Sequence, residues 1–172
     1  MGPMRRFWLL TPVFCLLFTL ASATEARADL TGFIGVTPTP VSRPTEGFGI
    51  GTGLIIVAFE FEYAKTNESL DNPSGTVAPA LHTFMGNGLL QTPIPIFGMQ
   101  FYVTAGGDLY HETVSLDPNG NVTNIATNVG GGAKINLAGP LRLRLDYRVF
   151  HLQGTPREPT VQRFYAGINL KF

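Results

Sequence analysis

The segment LRLRLDYRVFHL, residues 141–152, alternates apolar and charged side chains and restricts the possible folds most strongly. Successive side chains of an extended strand point to opposite faces. One face therefore carries Leu141, Leu143, Leu145, Tyr147 and Val149. The other face carries Arg142, Arg144, Asp146 and Arg148. A strand of this kind needs an apolar environment on one side and a charged one on the other.

Similar alternating segments recur along the chain and are separated by Pro, Gly, Asn and Asp. After Asp29 no window shows sustained helical spacing. The expected strands cover residues 30–38, 46–55, 58–66, 80–91, 98–112, 124–137, 141–152 and 161–172. Their even number is typical of single-chain bacterial outer-membrane barrels. The pattern therefore predicts an all-β fold, an eight-stranded antiparallel up-and-down transmembrane β-barrel.

The connections between these strands alternate in length. NESLDNPSGTVAP and TVSLDPNGNVT are long and polar, whereas AGP and the join at Ile55–Val57 are very short. Up-and-down membrane barrels have long outer loops and short periplasmic turns. We therefore expect both chain ends to lie on the periplasmic side.

The orientation of the two faces distinguishes a membrane barrel from a soluble one. A soluble lipocalin-like carrier would turn its apolar face inward, and this remains an alternative. The last strand favours the membrane, because Phe164 and Phe172 lie roughly 20 Å apart along the axis of a tilted barrel. This spacing is close to the apolar band of about 25 Å that aromatic girdles enclose. One arginine on the lipid face at mid-bilayer would cost roughly 2–4 kcal/mol, so the charged face must point inward in a membrane.

The first residues have the order of a secretory signal. The basic MGPMRR precedes a long apolar run, and Ala26-Arg27-Ala28 is a small-x-small cleavage site. We expect a cleaved signal peptide at 1–28 and a barrel domain at 29–172; an uncleaved anchor is the alternative. The only cysteine, Cys15, falls in the signal, so the mature chain has no cysteine for a disulfide or a metal. The chain has 12 basic and 12 acidic residues without a basic stripe, which excludes nucleic-acid binding.

The interior of such a barrel is expected to hold charge pairs, because eight strands leave room only for side chains. The expected lumen charge network consists of Glu60, Glu62, Asp108, Lys134, Arg142, Arg144, Asp146, Arg148 and Arg163. The segment GFGIGTGL places Gly47, Gly49, Gly51 and Gly53 on one face. This glycine face either gives long arginines room to lie against the backbone or relieves barrel curvature.

The signal, the eight alternating strands, the inward charges and the ending YAGINLKF resemble the small outer-membrane β-barrels of the OmpA/OmpX type. In that family the terminal aromatic residue and the apolar residues at every second position before it are read by the barrel-assembly machinery. The resemblance implies that signal here for Ala166, Ile168, Leu170 and Phe172. It also implies that the protein lies in the outer membrane of a Gram-negative bacterium, where membrane lipids and lipopolysaccharide contact the barrel.

Candidate chemistry is sparse. His82 and His111 are expected near the outer rim on paired strands, where they are weak candidates for a divalent metal. Polar residues that simply populate the barrel end are the favoured interpretation. His111, Glu112 and Ser115 supply the residue types of a lipid A-modifying enzyme, but all within one short stretch. We expect no catalytic residues and no cofactor.

The predicted function is a structural or surface-interaction role, in adhesion or envelope integrity, with an unknown extracellular ligand. A narrow channel for small solutes and a soluble periplasmic carrier are the alternatives.

Overall fold

Eight antiparallel strands close into a barrel in the computed structural model, which describes residues 27–70, 77–115 and 121–172. The strands are β1 (Arg27–Thr37), β2 (Arg43–Gly53), β3 (Val57–Thr66), β4 (Ala80–Gln91), β5 (Met99–Thr113), β6 (Val122–Ala138), β7 (Leu141–Leu152) and β8 (Thr160–Lys171). Each strand pairs with its neighbours in the chain, and β1 closes the barrel against β8. In these ranges no helix is long and apolar enough to cross a membrane.

The fold class expected from the alternating pattern is confirmed. The main differences lie at the first two strands, which begin at Arg27 and Arg43, each three residues before the expected start. The β1–β2 ladder continues to the pair Thr37–Arg43, so it includes part of the Pro-rich connection. Pro44 is tolerated there because it precedes the β2–β3 ladder, which begins at Thr45, so its missing N–H interrupts no bond of that ladder.

The two faces of the strands are oriented as a membrane barrel requires. Arg144 and Arg148 are fully buried in the interior, whereas Leu145 and Tyr147 between them are exposed. The same outward exposure applies to Phe48, Ile50, Phe59, Phe61, Phe84, Val103, Leu109, Val129, Phe164 and Ile168. A soluble barrel would bury these side chains, so the lipocalin-like alternative is wrong about which face points inward.

The outer part of the interior is apolar, which the sequence did not predict. Phe33 stacks on Tyr165 with 4.0 Å between ring centroids, and both belong to a buried cluster. The other large members of this cluster are Leu81, Met85, Tyr110, Phe150, Leu152 and Val161. Ala78 and Val114, which lie beyond the strand ends, are also buried. The barrel therefore has an apolar layer towards its long loops.

The start of β1 suggests where the leader is removed. Most of the expected signal lies outside the described residues, but Arg27 and Ala28 belong to β1. Ala28 and Phe172 exchange two backbone hydrogen bonds of 2.9 Å, and Arg27 pairs with Gly53. Cleavage after Ala28 would remove this pairing at the seam of the barrel.

We therefore propose that processing occurs upstream, at the small-x-small triplet Ala21-Ser22-Ala23, instead of after Ala28. The intact mass of the protein purified from outer membranes should correspond to a chain that starts at Thr24. A measured mass that corresponds to Asp29 as the first residue would contradict this processing site.

Candidate functional site

The centre of the barrel interior is a network of ion pairs between β7 and β3. Arg148 on β7 reaches both glutamates of β3: its Nη2 lies 3.0 Å from Glu60 Oε1 and 3.0 Å from Glu62 Oε2. Its Nε donates to Asp146 Oδ1 at 2.9 Å. Strands β3 and β7 lie four positions apart in an eight-stranded ring, so these contacts cross the lumen.

Arg144 makes a parallel set of contacts two inward positions before Arg148 on β7. Its guanidinium forms a salt bridge to Glu60, its Nη2 lies 3.3 Å from Asp146 Oδ2, and its Nε donates to the hydroxyl of Tyr102 at 2.8 Å. The guanidinium carbon also lies 4.9 Å from the centroid of the Tyr102 ring. Tyr102 donates its hydroxyl proton to Asp146. Arg144 is thus held by both charge and ring contacts.

Arg163 extends the network along β8. Its Nη1 lies 3.4 Å from Glu62 Oε1, its Nη2 donates to Thr83 Oγ1 at 3.0 Å, and its guanidinium carbon lies 4.6 Å from the centroid of Phe150. Phe150 belongs to the apolar layer. Arg163 therefore connects the ion-pair network to that layer.

A second group of charges lies towards the chain ends and is organised by Asp29. Lys134 Nζ and Arg142 Nη2 lie 2.6 Å and 2.8 Å from Asp29 Oδ2. Arg142 also donates from Nε to Asn169 Oδ1 at 2.8 Å. Sequence reasoning missed Asp29, because it stood at the boundary of the expected signal. A polar cavity of about 220 Å³ opens beside this group.

Asp108 is the member of the expected network that lies apart from the salt bridges. Asn128 Nδ2 donates to Asp108 Oδ1 at 2.7 Å and to Asn87 Oδ1 at 2.8 Å. In the described part of the chain Asp108 forms no salt bridge, and its Oδ2 has no hydrogen-bond partner. The structure therefore brings eight of the nine expected residues into two ion-pair groups and places Asp108 in an amide cluster.

Basic and acidic side chains are equal in number within the two ion-pair groups and the amide cluster. The basic side chains are Lys134, Arg142, Arg144, Arg148 and Arg163, and the acidic side chains are Asp29, Glu60, Glu62, Asp108 and Asp146. Arg43 and Glu112, buried towards the outer end, add one charge of each sign. Buried charges are tolerated only when they are paired, so this balance allows the lumen to be filled by side chains.

The glycine face of β2 points inward, as expected, but other residues occupy the space beside it. A Cβ on Gly47 would lie 2.4 Å from the Phe33 ring, and one on Gly51 would lie 2.9 Å from Asp29 Oδ1. Beside Gly49 the nearest side chain is that of Glu62. The side chains nearest to Gly47, Gly49 and Gly51 are thus those of Phe33, Glu62 and Asp29, not the arginines.

The histidines lie on the outward surface. His82 and His111 are direct cross-strand partners; Tyr63 Oη lies 2.9 Å from His82 Nδ1, and Thr123 Oγ1 lies 2.6 Å from His111 Nδ1. Within residues 27–70, 77–115 and 121–172, no group of three or more His, Cys, Asp or Glu side chains could hold a metal ion. The residue types of a lipid A-modifying enzyme have other partners. Ser115 donates from Oγ to Glu68 Oε2, a carboxylate on another loop, at 2.5 Å. In the described contacts, His111 does not accept a hydrogen bond from Ser115, as a catalytic base would from its nucleophile.

The expected assembly signal lies on the outward face of β8. Ala166, Ile168, Leu170 and Phe172 are all exposed there, and Phe172 is 71% exposed. A row of this kind is accessible to lipid or to a binding protein.

Comparisons with known proteins agree with this architecture. No protein-family model and no curated protein matches the chain. Among solved structures, the N-terminal β-barrel domain of Pseudomonas aeruginosa OprF is 15% identical, with a TM-score of 0.66, covering 85% of this chain and 97% of that one. Neisserial surface protein A is 16% identical, with a TM-score of 0.64, over 86% and 96% of the two chains.

The outer membrane enzyme PagL is also similar, with 11% identity, a TM-score of 0.53 and coverage of 83% of this chain and 98% of that one. Identities this low show the fold alone. The chain has the fold of the eight-stranded outer-membrane β-barrels. Because an enzyme shares it, the fold does not determine the activity.

We predict that Arg148→Met lowers the free energy of unfolding by about 3–5 kcal/mol, because Glu60, Glu62 and Asp146 then lose a shared cation in a buried site. Urea titration of the protein in lipid vesicles measures the change. The double variant Arg148→Met/Glu62→Gln should lose less, because one carboxylate is removed together with the cation.

Lys65→Met is the matched control, since Lys65 is exposed on the outward face. A loss for Arg148→Met no larger than for this control would contradict a stabilising role for the network.

Proposed function

We propose that the protein is an integral outer-membrane β-barrel of a Gram-negative bacterium, non-enzymatic and closed to solutes, with a structural or surface-interaction role. The closure of the interior is the observation that carries this proposal. Ion pairs cross the lumen between β3 and β7, and the apolar layer lies between them and the long loops. A solute would have to displace both layers.

The membrane location is supported by the outward surface. Large apolar side chains cover it on every strand, while the charges of the ion-pair groups lie inside. This distribution is the one that lipid outside a barrel requires. The export signal expected at the start of the chain and the likeness in fold to outer-membrane barrels support the same location.

The surface role is supported by the loops opposite the chain ends. Ser115 donates to Glu68 from its backbone nitrogen at 2.8 Å and from its hydroxyl, which joins the two longest connections. These connections are polar in sequence, as expected for segments exposed to water. The proposed partners are lipopolysaccharide and membrane lipids around the barrel, an extracellular ligand at the loops, and the barrel-assembly machinery at β8.

Closure of the lumen can be measured in a planar lipid bilayer. The wild-type protein should show no steady conductance. The double variant Glu60→Ala/Arg148→Ala removes one charge of each sign from the centre of the lumen and vacates the volume of both side chains. We expect brief openings for this variant, because water can then enter the lumen.

Glu46→Ala/Lys65→Ala is the matched control, because these residues are cross-strand partners on the outward face and carry opposite charges. It should remain silent. Steady openings of the wild-type protein would overturn the closed barrel and favour a narrow channel.

The proposed assembly signal predicts a localised defect. Phe172→Ala should lower the amount of protein in the outer membrane several-fold, measured as the band that migrates faster when the sample is not boiled. Phe59→Ala, which removes an aromatic residue of similar exposure from β3 (61% against 71% for Phe172), should have a smaller effect. Equal effects of the two substitutions would contradict a specific signal at the terminal residue.

Unchanged lipid A masses after expression would separately support a non-enzymatic role.

A further inference from the structure

Two adjacent turns at the end of the barrel that carries the chain ends are unusually apolar. They are residues 54–56, between β2 and β3, and residues 93–97, between β4 and β5; we call them the apolar turn pair. Gln91 joins them, because its backbone nitrogen donates to Ile56 O at 2.8 Å and its Nε2 donates to Leu54 O at 3.1 Å. The two turns therefore form one continuous surface.

This surface exposes large side chains without any charge. Phe97 is 95% exposed and Ile94 is 72% exposed, and Ile55, Ile56 and Ile96 are also exposed. Residues 83–107, which form most of the hairpin, contain no Asp, Glu, Lys, Arg or His. At the same end of the barrel the charges lie inside: Asp29, Lys171 and Arg142 line the polar cavity together with Leu54, Ile55 and Pro93. The outer surface of the turns is thus apolar, and the charges at this end face the interior.

The apolar turn pair is continuous with the lipid-facing surface above it. Leu90, Val57 and Phe101 are exposed on the adjoining strands and lead into it with no charged side chain between them. On β5 the outward face runs from His111 to Met99, roughly 30 Å along the barrel axis, and the turn extends further. On β7 the corresponding distance from His151 to Leu141 is roughly 25 Å. The outward surface is therefore longer on β5 than on β7.

Phe97 is also held in a backbone conformation that does not suit it. Its φ is 52°, and Gly98 follows with φ of 77°, in a two-residue turn closed by hydrogen bonds between Ile96 and Met99. Turns of this type favour Asn, Asp or Gly at both central positions. A side chain that is almost fully exposed gains no packing within the protein to offset this strain. A contact outside the protein would offset it.

We propose that the apolar turn pair is a lipid-binding surface, which inserts into the boundary between headgroups and acyl chains of the periplasm-facing leaflet. The insertion tilts the barrel away from β7, because the longer outward surface on β5 must be accommodated. The occupant is the bilayer itself, since the surface continues an existing lipid-facing one and carries no charge. This inference rests on the proposed membrane location and goes beyond it.

Tryptophan fluorescence tests the insertion directly. The only tryptophan of the chain is Trp8, in the expected leader, so the mature protein without the leader gives a tryptophan-free background. Single tryptophans replace Phe97, Leu137 on the β6–β7 turn, and Val103 within the lipid-facing surface. The mature proteins are reconstituted into phosphatidylcholine vesicles with acyl chains brominated either near the headgroup or near the chain end.

Phe97→Trp should lose at least half of its emission with bromine near the headgroup, and should resist quenching by acrylamide in the water. Leu137→Trp should be quenched less by the same lipid, because the barrel tilts away on that side. Emission from Phe97→Trp that is quenched by acrylamide and not by the lipid would overturn the inference. It would indicate that the surface faces water and is accessible to a protein partner. Equal lipid quenching at positions 97 and 137 would overturn the tilt.

Val103→Trp separates this failure from a failure of the proposed function. If Val103→Trp is quenched by lipid and Phe97→Trp is not, only the lipid-binding surface is wrong. If neither is quenched, the membrane location itself is wrong.

A further pair of variants, Ile94→Trp with and without Phe97→Asn, isolates the contribution of Phe97. Asn suits the turn, so Phe97→Asn should halve the lipid quenching of the tryptophan at position 94 by removing the inserted ring. Unchanged quenching would show that Phe97 does not hold the turn in the bilayer.

Discussion

The requirement that buried charges be neutralised across the lumen governs this structure. Glu60 and Glu62 lie on β3, and their main cationic partners lie on β7 and β8. A side chain must span much of the barrel to make these contacts, and arginine combines the length with several donors in a planar group. Arg148 uses its guanidinium to contact three carboxylates at once. A lysine would offer a single ammonium group and could not hold the same geometry.

These ion pairs across the lumen need space in the interior, and that space depends on the side chains of the other strands. Strand β2 contributes glycines to the inward face, and Phe33, Glu62 and Asp29 lie over them. With side chains at Gly47 and Gly51, Phe33 and Asp29 would be displaced. Asp29 neutralises both Lys134 and Arg142, so its displacement would leave two buried cations without their shared carboxylate. The glycine strand thus supports the charge network indirectly, through the residues that it accommodates.

The sequence allowed the strands and their faces to be predicted, because a period of two is a local property and three arginines on one face of residues 141–152 leave little ambiguity. It did not reveal which charges meet, because Glu62 and Arg148 become neighbours only through the register of a closed barrel. The apolar layer was missed for a different reason. Phe150 and Leu152 share the parity of Arg148, but an interior assumed to be polar throughout drew attention only to the charges. Asp29 was missed because a cleavage site next to it suggested the edge of the domain.

The same network makes closure of the barrel cooperative. Arg144 and Arg148 are fully buried only when β3 faces them, and a buried charge without its partner is destabilising by about 3–5 kcal/mol. This is comparable with the net stability of an ordinary domain, about 5–15 kcal/mol. If water were excluded before β3 and β7 faced each other, several buried charges would have no partner. Assembly intermediates with that arrangement are therefore disfavoured. Strand β8 pairs with β1 at the seam and also places Arg163 against Glu62, so the step that joins the two ends of the sheet completes the neutralisation of the interior.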